Sequence, residues 1–153
     1  MPMPASSRRR PVAPCLEESV FVEMARTFDL LSRPVSQLLR AVDLSAPQYN
    51  VLRILRGAPD GLLCGQISER MLTRDPDITR LLDRLENRAL IARLRQKEDR
   101  RRILVRIAPA GLELLARLDA PVCRMHRGQL RHLRAARLRQ LQSLLRACIS
   151  PAP

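Results

Sequence analysis

Apolar residues first recur at alternating intervals of three and four, at Phe21, Met24, Phe28, Leu31, Val35, Leu38 and Val42. This is a helical seam of heptad type, which some second surface has to cover. A core within the same chain and a second copy are equally good covers. Pro34 lacks the N–H that the helical ladder needs, so a kink or a division of the helix is expected there. A new helix start follows at Ser45-Ala46-Pro47-Gln48. Ser45 can cap the backbone, Gln48 can complete a capping box, and Pro47 suits a first turn. The helix is predicted to run to about Arg56, where Gly57-Ala58-Pro59-Asp60-Gly61 stops it. Leu62-Leu63 reads as a short extended piece and residues 65–72 as a brief helix.

Asp75-Pro76 predicts the next start, an N-cap followed by proline at the first helical position. Ile78, Leu81, Leu82 and Leu85 then fall at i, i+3, i+4 and i+7, a single apolar stripe. Pro76, Arg80, Asp83 and Asn87 lie opposite, flanked by Asp77, Thr79 and Arg84. A short helix, a tight connection and a second helix with its polar groups outward make a helix-turn-helix. Strand periodicity takes over beyond it. Leu90, Ala92 and Leu94 alternate with Ile91, Arg93 and Arg95, and Ile103, Val105 and Ile107 with Leu104 and Arg106. Between the two runs lies Gln96-Lys97-Glu98-Asp99-Arg100-Arg101-Arg102, with no apolar residue. A charged hairpin directly after a helix-turn-helix is a wing. Two more helical stripes complete the chain, Leu112-Leu115-Leu118-Val122 with a kink expected at Pro121, and Leu138-Leu141-Leu145-Cys148.

Composition narrows the partners. The 153 residues suit one domain, and 46% of them are hydrophobic, enough to fold a core. The net charge of +13 favours a polyanionic partner. From Arg93 to Arg106 seven basic residues face two acidic ones, so the wing is part of that excess. All basic residues but Lys97 are arginine, a bias that a genome rich in G and C also produces. Residues 1–14 hold four prolines and Arg8-Arg9-Arg10 and read as a disordered basic arm. No apolar run is long enough for a membrane span, and Pro11-Val12-Ala13-Pro14 interrupts any leader-like segment, so a cytoplasmic protein is expected. Cys15, Cys64, Cys123 and Cys148 form no close pair in sequence and read as free thiols. Aromatic residues number only three, Phe21, Phe28 and Tyr49, whereas single-strand and RNA binders need stacking platforms. Duplex DNA is the better partner.

Catalysis finds little support, with two histidines, no nucleophile–base constellation and no glycine-rich phosphate loop. The protein is not expected to be an enzyme or to carry a cofactor. Cys123 and His126 stand three apart on a predicted helix, but a metal needs a third and fourth ligand, so none is expected.

In order and wording these elements resemble the MarR family of winged-helix regulators. The resemblance is carried by Leu44-Ser45-Ala46-Pro47-Gln48-Tyr49, by Asp77-Ile78-Thr79-Arg80-Leu81-Leu82-Asp83-Arg84-Leu85-Glu86, by Leu90-Ile91-Ala92-Arg93, and by Asp99-Arg100-Arg101-Arg102 through Ile107-Ala108-Pro109-Ala110-Gly111. It extends over roughly residues 16–149. The implied fold is mainly α with a small β-hairpin wing, a winged helix-turn-helix plus a helical dimerisation region. Residues 15–44 would supply an amino-terminal dimerisation helix, 45–108 the DNA-binding region and 109–150 the carboxy-terminal dimerisation helices. The implied function is a DNA-binding transcriptional regulator, a repressor acting as a homodimer on a near-palindromic duplex and released by a small aromatic effector. A winged-helix adaptor without specific DNA binding is the alternative.

Carried over residue by residue, the resemblance sends the helix from Asp75 to Arg88 into the major groove. Thr79 and Arg80 would meet base edges or phosphates and Arg84 a phosphate, with Pro76 and Asp83 on the same face. Asp77 could accept from a cytosine or complement the helix dipole. Asp99 and Arg101 match the family's Asp-x-Arg, with Arg101 entering the minor groove, Asp99 shaping the tip, and Arg100 and Arg102 beside them. The family's effector zone maps onto Met24, Phe28 and Tyr49. The cysteine of its peroxide-sensing branch maps near Val22, not Cys15. Two departures stand out: Ala89 where the family has glycine, and Ala108 where it often has threonine or serine. If position 89 is left-handed, alanine costs roughly 1 kcal/mol there.

Overall fold

A computed structural model of the chain describes residues 15–73, 77–95 and 103–149. Along the chain they form α1 (Leu16–Arg40), α2 (Ala46–Arg56), β1 (Leu62–Leu63), α3 (Cys64–Arg70), α4 (Ile78–Asn87), β2 (Ile91–Arg95), β3 (Ile103–Ile107), α5 (Pro109–Leu130) and α6 (Ala135–Ile149). Two compact units result, one reaching Ser32 and one beginning at Arg33. α1 crosses this boundary and runs unbroken through Pro34, so the proline does not divide it. Proline's fixed φ is helical, and only one N–H is lost from the ladder.

The described part of the first unit is a single stretch of helix. The Cys15 Sγ accepts from the Glu18 N–H at 3.4 Å, and Glu23 pairs with Arg26 at 3.4 Å. A backbone hydrogen bond, and then one to Cys15, hold the Glu17 carboxyl below its ordinary pKa. Leu16, Val20, Phe21, Met24 and Phe28 are all exposed, Phe21 and Phe28 by about two thirds (67% and 66%).

The second unit holds the core, and α2 lies at its centre, packed against α3, α4, α5 and β3. Ser45 and Gln48 form the expected capping box: Ser45 Oγ accepts from the Gln48 N–H at 3.3 Å, and Gln48 Oε1 from the Ser45 N–H at 2.9 Å. Val51, Leu52 and Leu55 are fully buried with Leu39, Ile67, Leu82, Leu85, Val105 and Leu115. Val35, Leu38 and Val42, the later part of the heptad seam, pack on this core. Arg56 reaches Asp119 on α5 at 2.7 Å, which holds its guanidinium proton still more firmly than usual.

The same left-handed stop ends α1 and α4. Asp43 and Ala89 both have φ of +54°. After α1, the Asp43 N–H donates to the Arg40 carbonyl and the Leu44 N–H to the Leu39 carbonyl. After α4, the Ala89 N–H donates to Glu86 and the Leu90 N–H to Leu85. These are Schellman turns, and each closes over a buried leucine pair, Leu39 with Leu44 and Leu85 with Leu90.

β2 and β3 form the expected antiparallel hairpin, in register from Ile91↔Ile107 to Arg95↔Ile103. β1 adds a strand on the far side of β3, Leu62↔Val105 and Leu63↔Leu104, giving the order β1-β3-β2. Which side of the hairpin faces inward differs from a simple apolar-in reading. Ile91 and Val105 are buried while Leu94 is 45% exposed.

The apolar stripe of α5 also differs. Gly111, Leu114, Leu115, Leu118 and Val122 are buried, and Leu112 points outward. The helix continues through Pro121. Ala108 occupies the N-cap of α5 without a side-chain hydrogen bond, and Pro109 follows as the first residue. α6 has no buried residue: Leu141, Leu144, Leu145 and Ile149 are exposed, and Leu138 is half-buried.

Candidate nucleic-acid interface

The core decides which side of α4 is free. Leu81, Leu82 and Leu85 are buried and Ile78 half-buried, which leaves Thr79, Arg80, Arg84 and Asn87 exposed. The helix starts at Ile78 with Asp77 as its N-cap, the Asp77 Oδ1 accepting from the Arg80 N–H at 3.2 Å. This corrects the expected cap at Asp75. An N-cap side chain accepts from the N–H of the second or third helical residue, and Arg80 is the third residue after Asp77.

A cleft of about 190 Å³ opens beside this face, lined by Ser45, Gln48, Asp77, Arg80, Leu81 and Arg84. Arg80 and Arg84 are one helical turn apart, and the amino-terminal end of α2 stands across from them. Two guanidinium groups and a helix start, which carries partial positive charge, suit an anionic oxygen of the phosphate type. Among the described residues the Asp77 carboxylate is the one acid in the lining.

Asp83 sits differently from the other candidates. It is half-buried and its Oδ1 lies 2.6 Å from Arg93 Nη1. The same Nη1 is 3.2 Å from Glu86 Oε2, and Arg93 Nη2 donates to the Thr79 carbonyl at 3.2 Å. Asp83 thus faces the wing strand, in an ion pair of the protein's own. Arg88 donates through Nη1 to the Asp43 carbonyl and through Nη2 to that of Val42 at 3.0 Å, tying the end of α4 to the turn after α1. Asn50 Oδ1 accepts from the Leu72 N–H at 2.9 Å, and Arg106 Nε donates to the Asp60 carbonyl at 2.9 Å. Composition and periodicity give no hint of these anchors.

Thr79, Arg80 and Arg84 are therefore gathered on one exposed face, with Asp77 at its head. Pro76 and the wing residues Asp99, Arg100, Arg101 and Arg102 lie outside the described residues, as do residues 1–14. Of the effector candidates, Tyr49 is buried in the second unit with the Arg53 guanidinium 5.8 Å from its ring centre. Met24 and Phe28 belong to the first unit and are exposed. All four cysteines are free thiols, and among the described residues no three His, Cys, Asp or Glu side chains converge as metal ligands. His126 Nδ1 lies 3.2 Å from Gln129 Oε1. Among the described residues no helix is long and apolar enough to cross a membrane.

Comparison with known proteins agrees with this geometry. A sequence profile of the MarR family matches residues 42–102. A MarR transcription factor from Planctomyces limnophilus is 38% identical in sequence; the alignment covers 88% of this chain and 98% of that one, with a TM-score of 0.67. The PcaV transcriptional regulator of Streptomyces coelicolor, solved in complex with its natural ligand, is 26% identical, covering 93% of this chain and 99% of that one with a TM-score of 0.72. The HTH-type transcriptional repressor IacR of Pseudomonas putida is 25% identical over 129 residues, 84% of this chain and 77% of that protein. With a helix-turn-helix followed by a three-stranded wing sheet, and 38% identity to a MarR transcription factor over 88% of its length, the chain belongs to the MarR family of winged-helix transcriptional regulators.

Proposed function

We propose that the protein is a cytoplasmic homodimeric repressor that binds a near-palindromic site in duplex DNA. Residues 45–108 serve as its reading head and residues 15–44 and 109–150 as its dimerisation region. The observation that carries this reading is the face of α4, where Thr79, Arg80 and Arg84 are exposed over a helix whose other side is core. In this reading α4 enters the major groove, Arg80 and Arg84 hold bases or phosphates, and Arg101 on the wing reaches the adjacent minor groove. Two reading heads would address half-sites about one helical turn, ~10 base pairs, apart. The uncovered apolar residues of α1 and of α6 support a second copy as the cover. A repressor role is supported by the similarity to IacR, and release by an effector ligand by the similarity to PcaV, solved with its natural ligand. Met24, Phe28 and Tyr49 are the side chains proposed for effector contact.

Duplexes selected from a random pool by the purified protein, then titrated over a salt series, test the proposal. Alanine at Arg84 or Arg101 is expected to weaken binding and to flatten the salt slope by about one unit for each phosphate no longer neutralised. Alanine at Arg80 is expected to relax sequence preference where it reads a base. A protein that selects no duplex, or variants with unchanged affinity and slope, would exclude this mode of binding.

A further inference from the structure

We propose that Arg93 is a positioning residue for DNA recognition: it clamps the wing to the recognition helix and touches no DNA itself. The inference rests on α4 and the wing being the reading elements, and it assigns one wing arginine a task other than charge.

Arg93 lies on β2 with Val105 as its Cα partner on β3. Directly opposed residues of an antiparallel pair project to the same face of the sheet, and Val105 is fully buried. Arg93 therefore holds a core-facing position, and only 23% of its side chain is exposed. Buried this far, a guanidinium needs partners, and α4 supplies three. The Thr79 carbonyl at 3.2 Å and Asp83 Oδ1 at 2.6 Å accept its hydrogen bonds, and Glu86 Oε2 is an ion-pair partner at 3.2 Å. Thr79, Asp83 and Glu86 follow one another at i, i+4 and i+7, the side of α4 turned toward the sheet. One planar fork thus grips the recognition helix over two turns. An ammonium, a point charge without that geometry, cannot reproduce the grip in full.

The consequence for recognition is geometric. Thr79 contributes its carbonyl to the clamp, yet Arg80 and Arg84, the exposed arginines, are interleaved with the gripped residues. The clamp thereby fixes their direction relative to the hairpin that carries the wing tip. A helix in one groove and a loop in the next can bind together only at a set separation. Losing the clamp should cost discrimination between sequences far more than general attraction to DNA, because the charges facing phosphate are unaltered.

The test compares the full-length protein with Arg93→Met, Arg93→Lys and the double variant Asp83→Asn/Glu86→Gln. The probes are the duplex that the unsubstituted protein selects from a random pool and a scrambled duplex of equal length, each over a salt series. Arg93→Met is expected to lower the selected-to-scrambled affinity ratio about tenfold or more, comparable to a mismatched base pair, with the salt slope unchanged. Arg93→Lys should recover part of that ratio. The carboxylate variant, which leaves the core intact, should lose discrimination as well, so the proposal stays testable if Arg93→Met folds poorly. A slope lowered by about one for both duplexes would make Arg93 a phosphate ligand and overturn the clamp. An unchanged ratio in Arg93→Met and in the carboxylate variant would overturn it too. A starting protein that selects no duplex would instead overturn the DNA-recognition reading on which the clamp rests.

Discussion

Alanine at position 89 occupies a backbone conformation that favours glycine. Its φ of +54° puts the Cβ close to the following carbonyl, at a cost of about 1–2 kcal/mol for an L-residue. The Schellman turn it closes is otherwise complete, with both hydrogen bonds made and Leu85 and Leu90 buried beneath them. Ala89→Gly should therefore stabilise the protein by about 1 kcal/mol, the gain being trimmed by glycine's greater freedom when unfolded. Urea denaturation at fixed protein concentration measures this, and a destabilised Ala89→Gly would contradict the assignment. At Asp43 the same φ is less costly, because Asp tolerates the left-handed region. Gly111 presents the opposite case. A Cβ there would collide with the Leu90 carbonyl oxygen and meet Ile107 Cγ1 at 2.9 Å. The Leu90 carbonyl is held by the Ala108 N–H at 3.0 Å and cannot easily retreat. Gly111→Ala should cost about 2 kcal/mol or more, as overpacking does, and lower the urea midpoint accordingly.

At the scale of elements, α4 shows what a sequence conveys and what it withholds. Its stripe of Ile78, Leu81, Leu82 and Leu85 was plain, because four apolar residues at helical spacing admit one buried face. Its start was read two residues early, because Asp75-Pro76 has the form of an N-cap followed by proline, and which carboxylate meets a free N–H is decided only in the folded chain. Asp77→Ala is expected to cost about 1 kcal/mol of stability, and Asp77→Ser much less, with the duplex preference of Asp77→Ser unchanged. A shift in that preference on Asp77→Ser would point to a cytosine contact instead. The hairpin was legible from alternation; β1, at Leu62-Leu63, is too short for a period, and it was the turn residues before it that marked the pair as extended. In α5 the leucines allow two registers, and the buried one includes Gly111. A residue without a side chain leaves no mark in an apolar pattern, although close approach to Leu90 requires it. Long-range partners such as Arg93 with Asp83, or Arg88 with the carbonyls of Val42 and Asp43, depend on tertiary placement that no local period encodes.

At the scale of the whole molecule, the proposed homodimer has to account for the apolar surface left over after folding. The later seam residues Val35, Leu38 and Val42 are used by the core, but Phe21 and Phe28 are not. α6 buries nothing, and a helix of 15 residues is marginal in water unless an apolar face is covered. In the proposed homodimer both segments gain a partner surface, and the same residues serve twice. Phe21→Asp/Phe28→Asp and, separately, Leu141→Asp/Leu145→Asp are therefore expected to convert a dimer to a monomer in sedimentation experiments. The core around α2 uses none of these four residues, so far-UV circular dichroism should retain most of its helical signal. Each monomer would keep one reading head and lose the second, forfeiting about 10²–10⁴ in affinity for a two-half-site duplex through lost avidity. Affinity for a single half-site should hardly change, because α4 and its exposed arginines remain in place. A protein that sediments as a monomer before substitution, or aspartate variants that bind the full site undiminished, would mean that these faces have some other occupant. The reading heads would then act singly.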